Sequence, residues 1–342
     1  MSKKVKRLIS VFILILGISS VAAVYVVDAT NYSTNDDDFV SGVIPVYTPG
    51  SGGILYIVNA GLTNIMNNQG SLSDVKMATE STSGSSEIAA LSLDKARENK
   101  PYLAAISEPD IYRIYEGTHE YFEGKHPDLR AVAKLGYAAI HLIVADSSDI
   151  HSFADLKGKT VGVGAGTAQE AYIVDLLRTG YGLEAGVDYE LIPIGYQEVQ
   201  QGIQDNSVDS GVLMGSLPAP LMQEAAQTTD VRILTVDEEA QQKVEEDHPY
   251  YSFMPLEAGT YQNQDEDLVI GSIDLITYTH ENTPDLLVEE YLKGILENRE
   301  AFEQVHGTAK DINEDTIADG MLLPLHPGAE NYYRQVGITT DE

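Results

Sequence analysis

The sequence contains no cysteine, and it has only 21 Lys and Arg residues against 53 Asp and Glu residues. The absence of cysteine excludes disulfide bonds, thiolate metal sites, a cysteine nucleophile and thiol acylation near the N-terminus. The formal net charge of −32 argues against nucleic acid and anionic membrane surfaces as partners, because so acidic a surface repels phosphate groups. We interpret the charge as adaptation of an exported protein to high salt, with metal buffering as the alternative.

The common motifs of catalysis and of metal binding are also missing. The sequence has no GxSxG elbow, no SxxK with its partner motifs and no HExxH, and its eight histidines show no paired spacing. We therefore expect no catalytic residues, no cofactor and no metal site, and a protein that is not an enzyme. Two alternatives stay open: an exported, salt-adapted hydrolase whose Ser, His and Asp meet only in the folded chain, and a membrane-tethered solute sensor.

The N-terminal segment has the composition of an export signal. Four basic residues lie between Lys3 and Arg7, residues 8–27 are almost wholly apolar, and a small-residue cleavage site ends at Ala29. Residues 1–29 are interpreted as a signal peptide or an N-terminal anchor, since the apolar run is also long enough to span a bilayer. An acidic spacer follows at residues 30–41. We expect the rest of the chain in the periplasm, or on the outer face of the membrane if the segment is uncleaved.

Strands, small polar loops and helices alternate from residue 42 onwards. Three units are predicted, with strands at 43–47, 75–79 and 102–106 and helices at 54–66, 88–98 and 111–116. Three consecutive units of this kind indicate an α/β fold with a parallel sheet, helices on its faces and all three loops at one edge.

The pattern repeats after a long apolar segment at residues 129–145, which is predicted to cross into a second lobe. Residues 269–279 are predicted to cross back, and a long amphipathic helix is predicted over 283–303. Residues 237–267 show no clear pattern and are expected to line the mouth of a cleft. Two parallel-sheet lobes joined by crossing strands at a hinge describe a trap that closes on a small ligand.

The predicted domain boundaries follow from these crossings. Lobe one is expected to contain residues 42–139 and 270–342, and lobe two residues 140–269.

The loop between the strand predicted at 161–164 and the helix at 168–178 is the strongest candidate for holding a ligand. Gly164, Gly166 and Thr167 lie where a strand ends and a helix begins, and free N–H groups at such a junction suit a carboxylate. A tight turn without a ligand is the alternative, since neither a P-loop nor GxGxxG is present.

Residues after the other predicted strands complete the candidate ligand-binding set. They are small, hydroxylic or acidic residues of the loops and one helical tyrosine: Thr48, Gly52, Gly53, Tyr56, Thr82, Ser83, Gly84, Ser85, Glu108, Asp110 and Gly215. Ordinary capping of helices and turns is the alternative for the loop residues. A half-buried tyrosine such as Tyr56 is more often part of the core than of a binding site.

Seven segments together resemble one known family, the TAXI-type solute-binding subunits of TRAP (tripartite ATP-independent periplasmic) transporters. The resemblance is collinear from about residue 45 to residue 336. Its segments are 47–53 (YTPGSGG), 80–87 (ESTSGSSE), 155–159 (DLKGK) with 164–167 (GAGT), 215–220 (GSLPAP), 248–251 (HPYY), 259–267 (GTYQNQDED) and 323–328 (LPLHPG). DLKGK is shared by many binding proteins of this fold, whereas the later segments together are specific.

The resemblance implies a type II periplasmic-binding-protein fold that captures a small organic solute and delivers it to the membrane subunits of a TRAP permease. It also implies glutamate, glutamine or a related carboxylate as the solute. One departure is that Glu108 stands where the family commonly has a glutamine. A carboxylate there attracts an ammonium group, so we expect a zwitterionic amino acid.

Overall fold

The structure is a computed structural model that describes residues 42–51, 53–70, 75–164 and 168–340. The predicted signal peptide or anchor at 1–29 and the spacer at 30–41 lie outside the described residues. None of the helices within the described ranges combines the length and the apolar character that a membrane crossing requires.

Ten strands of the described chain join in one mixed sheet. They are β1 (Gly42–Thr48), β2 (Val75–Ser81), β3 (Leu103–Ser107), β4 (Leu129–Ala145), β5 (Thr160–Val163), β6 (Glu190–Pro193), β7 (Ser210–Gly215), β8 (Val231–Ile233), β9 (Ser252–Leu256) and β10 (Leu268–His280).

Helices fill most of the connections between these strands. Among the described residues they are α1 (Ile54–Gln69), α2 (Ser85–Arg97), α3 (Glu108–Glu116), α4 (Ala168–Asp175), α5 (Tyr196–Asp205), α6 (Pro220–Thr228), α7 (Glu238–Asp247), α8 (Asp285–Leu296), α9 (Arg299–Glu303) and α10 (Pro327–Val336). Short 3-10 helices lie at Phe153–Leu156 and Gly307–Lys310, and a π-helical turn at Leu176–Gly180 follows α4.

The strand order is β2-β1-β3-β10-β4-β7-β5-β6, with β8 beside β4 and β9 beside β10. At one end, β1 is parallel to β2 and β3, and at the other end β5 is parallel to β6 and β7. The two central strands, β4 and β10, are antiparallel to each other and to their outer neighbours β7 and β3. The sheet therefore has two parallel halves joined by two long strands, which confirms the predicted α/β fold with two lobes and crossing strands.

Each of the two long strands, β4 and β10, pairs with different strands at its two ends. The last residues of β4 pair with β7 and β8, whereas its earlier part pairs with β10. The first residues of β10 pair with β9, and residues 275–278 pair with β3. Register shifts interrupt the β4–β10 ladder between Asp274 and Ile276 and between Thr277 and Tyr278. The domain boundaries predicted near residues 139 and 269 stay predictions.

Several predicted elements differ from the observed ones. The helix expected from residue 111 starts at Glu108, because Pro109 has the fixed φ that the first helical turn requires. Residues 237–267 contain α7 and β9. The single helix predicted over 283–303 is interrupted at Asn298, whose φ of −111° and ψ of 35° are not helical.

Candidate functional site

A cleft of about 450 Å³ lies where the first turns of three helices meet. Ser85 of α2, Asp110 of α3 and Glu170 of α4 line it, and each helix follows a strand of one of the two parallel halves. Further lining residues come from the loop after α3, from the far end of α4 and from the segment between α7 and β9: Thr118, His119, Glu120, Tyr121, Val174, Asp175, Arg178, His248 and Tyr250. The cleft therefore has one wall from each half of the sheet.

An ion pair joins the two walls. Arg113 of α3 donates from Nη2 to Asp175 Oδ2 of α4 at 2.8 Å, and both side chains are only 15% and 12% exposed. The other carboxylate oxygen, Asp175 Oδ1, accepts from Arg178 Nη2 at 2.8 Å. The π-helical turn begins directly after Asp175, and such turns are frequent at functional sites. Two guanidinium groups of the cleft lining thus share one carboxylate.

Two tyrosines hold Arg113 in place. Tyr250 Oη accepts from Arg113 Nε at 3.2 Å, and Tyr251 Oη accepts from Arg113 Nη2 at 2.5 Å. The guanidinium carbon also lies 4.9 Å from the centre of the Tyr250 ring, a cation–π distance. Tyr251 Oη donates in turn to Asp175 Oδ2 at 3.0 Å. Burial raises the pKa of Tyr251 far above its ordinary value, so it stays a hydroxyl donor.

The histidines of the cleft carry little positive charge. Burial lowers the pKa of His248 and of His119 below the ordinary value of 6.5. Both rings are therefore mostly neutral near pH 7. His248 Nδ1 lies 3.0 Å from Tyr250 Oη, and its Nε2 lies 3.1 Å from Thr179 Oγ1. The positive charge of the cleft accordingly comes from Arg113 and Arg178.

The predicted loop before α2 is largely occupied by its own hydrogen bonds. Thr82 donates from N and from Oγ1 to the Thr48 carbonyl at 2.9 and 3.0 Å. Ser83 donates from N and Oγ to Glu87 Oε2 at 2.7 and 2.8 Å. These bonds, chiefly the one from the backbone N–H, lower the pKa of Glu87 below its ordinary value. Gly84 has a φ of 147°, which favours glycine. Of the four predicted residues 82–85, the structure places Ser85 in the cleft lining.

The predicted residues of the first loop lie elsewhere. Thr48 is fully buried, and its hydroxyl donates to the carbonyls of Pro49 and Glu80. Gly53 is exposed and donates its N–H to the Gly50 carbonyl, and Tyr56 is half-buried on α1. Gly52 lies outside the described residues.

The two predicted acidic residues of α3 have different surroundings. Asp110 lines the cleft, is 6% exposed, and accepts from Ser107 Oγ at 2.6 Å through Oδ2. Glu108 is 2% exposed and accepts from the Leu322 N–H at 2.8 Å. Burial raises the pKa of Glu108 to about 7. The carboxylate of Glu108 contacts the C-terminal segment and is not part of the cleft lining. The structure therefore gives no support to the expectation that Glu108 selects the solute.

The predicted residues of the second half are described only in part. Gly164 follows β5 and is half-buried, and Gly215 ends β7 where it pairs with Ala139. Gly166 and Thr167 lie outside the described residues.

Sequence reasoning missed Arg113, Asp175 and Arg178. The segment 248–251 does carry a signal, since it was one of the family-specific segments, and it supplies His248, Tyr250 and Tyr251. The scarcity of basic residues is a second signal, because it draws attention to each arginine near a candidate site. Arg178 is such a residue, since it ends the helix predicted directly after the ligand loop.

The sequence profile of the NMT1-like family matches residues 46–337. Among solved structures, XAC2383 from Xanthomonas citri bound to ATP has a TM-score of 0.54 at 11% identity, covering 86% of this chain and 96% of that one. The periplasmic aliphatic sulphonate binding protein SsuA from Escherichia coli has a TM-score of 0.47 at 17% identity, with coverages of 85% and 78%. A TctC solute binding protein from Polaromonas has a TM-score of 0.48 at 14% identity, with coverages of 86% and 98%. Likeness at such identities shows the fold alone.

Proposed function

The chain belongs to the NMT1-like family, and on this premise we propose that it is an extracytoplasmic receptor for a small carboxylate-bearing solute. The observation that carries the proposal is the cleft between the two sheet halves, in which Arg113 of one wall contacts Asp175 of the other. A volume of about 450 Å³ falls in the range of small-molecule sites. We further propose an amino acid of the glutamate or glutamine kind as the solute.

The proposed mechanism is closure of the two lobes over the solute. Solute enters the open cleft, contacts the helix starts of α2 and α3, and is covered by α4 of the other half. Only contacts that differ between the open and closed forms bias this equilibrium. The crossing strands β4 and β10 are the natural hinge, since their ladder is already interrupted by register shifts near residues 274–278.

The proposed partner is the membrane part of a TRAP permease, and the proposed subfamily is the TAXI type. The resemblance of the seven segments supports both. The extracytoplasmic location agrees with the export signal predicted at residues 1–29, and the acidic composition supports a high-salt environment. In this proposal the protein has no catalytic step, and the solute leaves the cleft unchanged.

A thermal-shift screen of the chain without residues 1–29, in molar salt, tests the proposal. The panel contains amino acids, dicarboxylates and 2-oxo acids. A solute that binds only the folded chain raises the free energy of unfolding by about 2.7 kcal/mol at a hundredfold excess over Kd. We expect a clear shift with at least one amino acid. Absence of any shift across the panel contradicts the receptor proposal.

A further inference from the structure

Two guanidinium groups in the cleft have unused hydrogen-bond donors. Arg113 uses Nε and Nη2, and Arg178 uses Nη2. Within the described chain, no hydrogen bond is made by Arg113 Nη1 or by Nε and Nη1 of Arg178. Asp175 accepts from both arginines and from Tyr251, so it fixes their positions and neutralises one of the two charges. The group of Arg113, Asp175 and Arg178 therefore keeps one net positive charge in a strongly acidic protein.

An acceptor lies one helical turn away from this positive charge. Asp110 precedes Arg113 by three residues on α3, and side chains at this spacing are neighbours, with Cβ atoms about 5–6 Å apart. Asp110 Oδ2 is bonded to Ser107, whereas Oδ1 accepts no hydrogen bond from the described residues. The side chain is nevertheless buried and lines the cleft. Asp110 therefore has a carboxylate oxygen available for a donor group of a ligand in the cleft.

The rest of the cleft is acidic. Glu120 and Glu170 line it together with Asp110, while its two histidines are mostly neutral near pH 7. A second carboxylate on the solute would lie among these acidic groups, where like charges repel. Ser85 and Ser86 of α2 offer uncharged hydroxyls on the same cleft.

We propose that the cleft binds the head group of an α-amino acid, with Asp110 holding the ammonium and Arg113 with Arg178 holding the carboxylate. The proposal rests on the receptor function proposed above and narrows its solute class. The side chain of the amino acid is neutral or cationic, because Glu120 and Glu170 disfavour a dicarboxylate. Glutamate and 2-oxoglutarate are therefore poorer solutes than glutamine or arginine.

Isothermal titration with four probes tests this assignment: glutamine, arginine, glutamate and 2-oxoglutarate. The variants are Arg178→Gln and Asp110→Asn, with Arg97→Gln as the control. Arg178 is half-exposed. When it is replaced, Asp175 still accepts hydrogen bonds from Arg113 and Tyr251. Asn at position 110 still accepts from Ser107. Arg97 is exposed at the far end of α2 and bonds to Asp94, so Arg97→Gln matches the charge change of Arg178→Gln outside the cleft.

We expect glutamine or arginine to bind wild type at least about 10-fold more tightly than glutamate and 2-oxoglutarate. Arg178→Gln and Asp110→Asn should each weaken that binding about 10- to 100-fold, the loss typical of a charge-assisted hydrogen bond, and Arg97→Gln should leave it unchanged. Unchanged affinity in both cleft variants, or a preference for glutamate or 2-oxoglutarate, overturns the inference while the receptor function stands. No binding of any compound in this panel or in the wider screen overturns both.

Discussion

Replacing Glu108 by glutamine should remove a specific pH dependence from the stability of the fold. Glu108 is 2% exposed, and its Oε1 accepts from the Leu322 N–H. The charged groups around it are Asp274 of β10, which raises its pKa, and Lys134 of β4, which lowers it. Those two form an ion pair at 2.6 Å on the crossing strands. Glutamine keeps the acceptor for Leu322 and removes only the titrating proton.

The magnitude follows from the pKa of Glu108. Burial raises it from 4.5 to about 7 in the folded chain, so the folded chain binds the proton more tightly than the unfolded chain. The free energy of unfolding of wild type therefore increases as the pH falls through 7, and the increase is complete below the unfolded pKa. A pKa difference of this size corresponds to about 3 kcal/mol. The stability of the glutamine variant lacks this pH dependence, so the variant should be more stable than wild type by about 3 kcal/mol at about pH 8 and by much less at about pH 5.

Denaturant unfolding of wild type and Glu108→Gln at about pH 5 and about pH 8 measures this difference. Both are measured in molar salt, because screening acts mainly on exposed charges and leaves the effect of burial. Glu123→Gln serves as the control, since Glu123 is exposed on the loop after α3. A difference between wild type and Glu108→Gln that is the same at both pH values refutes the reasoning.

Three further substitutions test other parts of the structure. Asp175→Asn leaves Arg113 buried without its carboxylate, and we expect denaturant unfolding to show a loss of about 3 kcal/mol. Gly271→Ala brings a Cβ into a clash with the Tyr172 hydroxyl, so thermal unfolding should show a loss of about 1–3 kcal/mol from overpacking. An unchanged melting temperature contradicts the close approach of α4 to β10. Ser83→Ala removes the hydroxyl that bonds Glu87, and we expect only a small loss of stability in thermal unfolding without solute, because this bond is exposed to solvent. Unchanged stability together with weaker solute binding instead indicates that Ser83 contacts the solute.

The architecture could be predicted because its signals are local. Alternation of β-branched runs, small loops and amphipathic segments identified the strand–helix units, and the length of residues 129–145 identified a crossing strand. The helix at 111–116 was placed too late because Glu108 and Asp110 were interpreted as loop residues. Their acidic side chains are also common in a first helical turn, where the helix dipole favours them.

The site was less predictable because its contacts join distant parts of the chain. Arg113 and Asp175 are 62 residues apart, and Arg113 and Tyr251 are 138 residues apart. No local pattern shows that a helix of one half reaches the carboxylate of the other. Glu108 illustrates the reverse case, since its partner Leu322 lies 214 residues away and withdraws it from the cleft. Loop composition selected Ser85 and Asp110, which line the cleft, but could not show that Glu87 accepts hydrogen bonds from Ser83.

Closure of the cleft on a solute is measured most directly as a distance between the two halves. The chain contains no cysteine, so cysteines introduced at two exposed positions carry spin labels without competing sites. These positions are Glu98, directly after α2, and Gln201 of α5. Electron–electron double resonance is recorded without solute and with saturating glutamine. We predict a shift of the distance distribution towards a single shorter population, absent when glycerol replaces glutamine. Identical distributions in the presence of a solute that binds contradict the account.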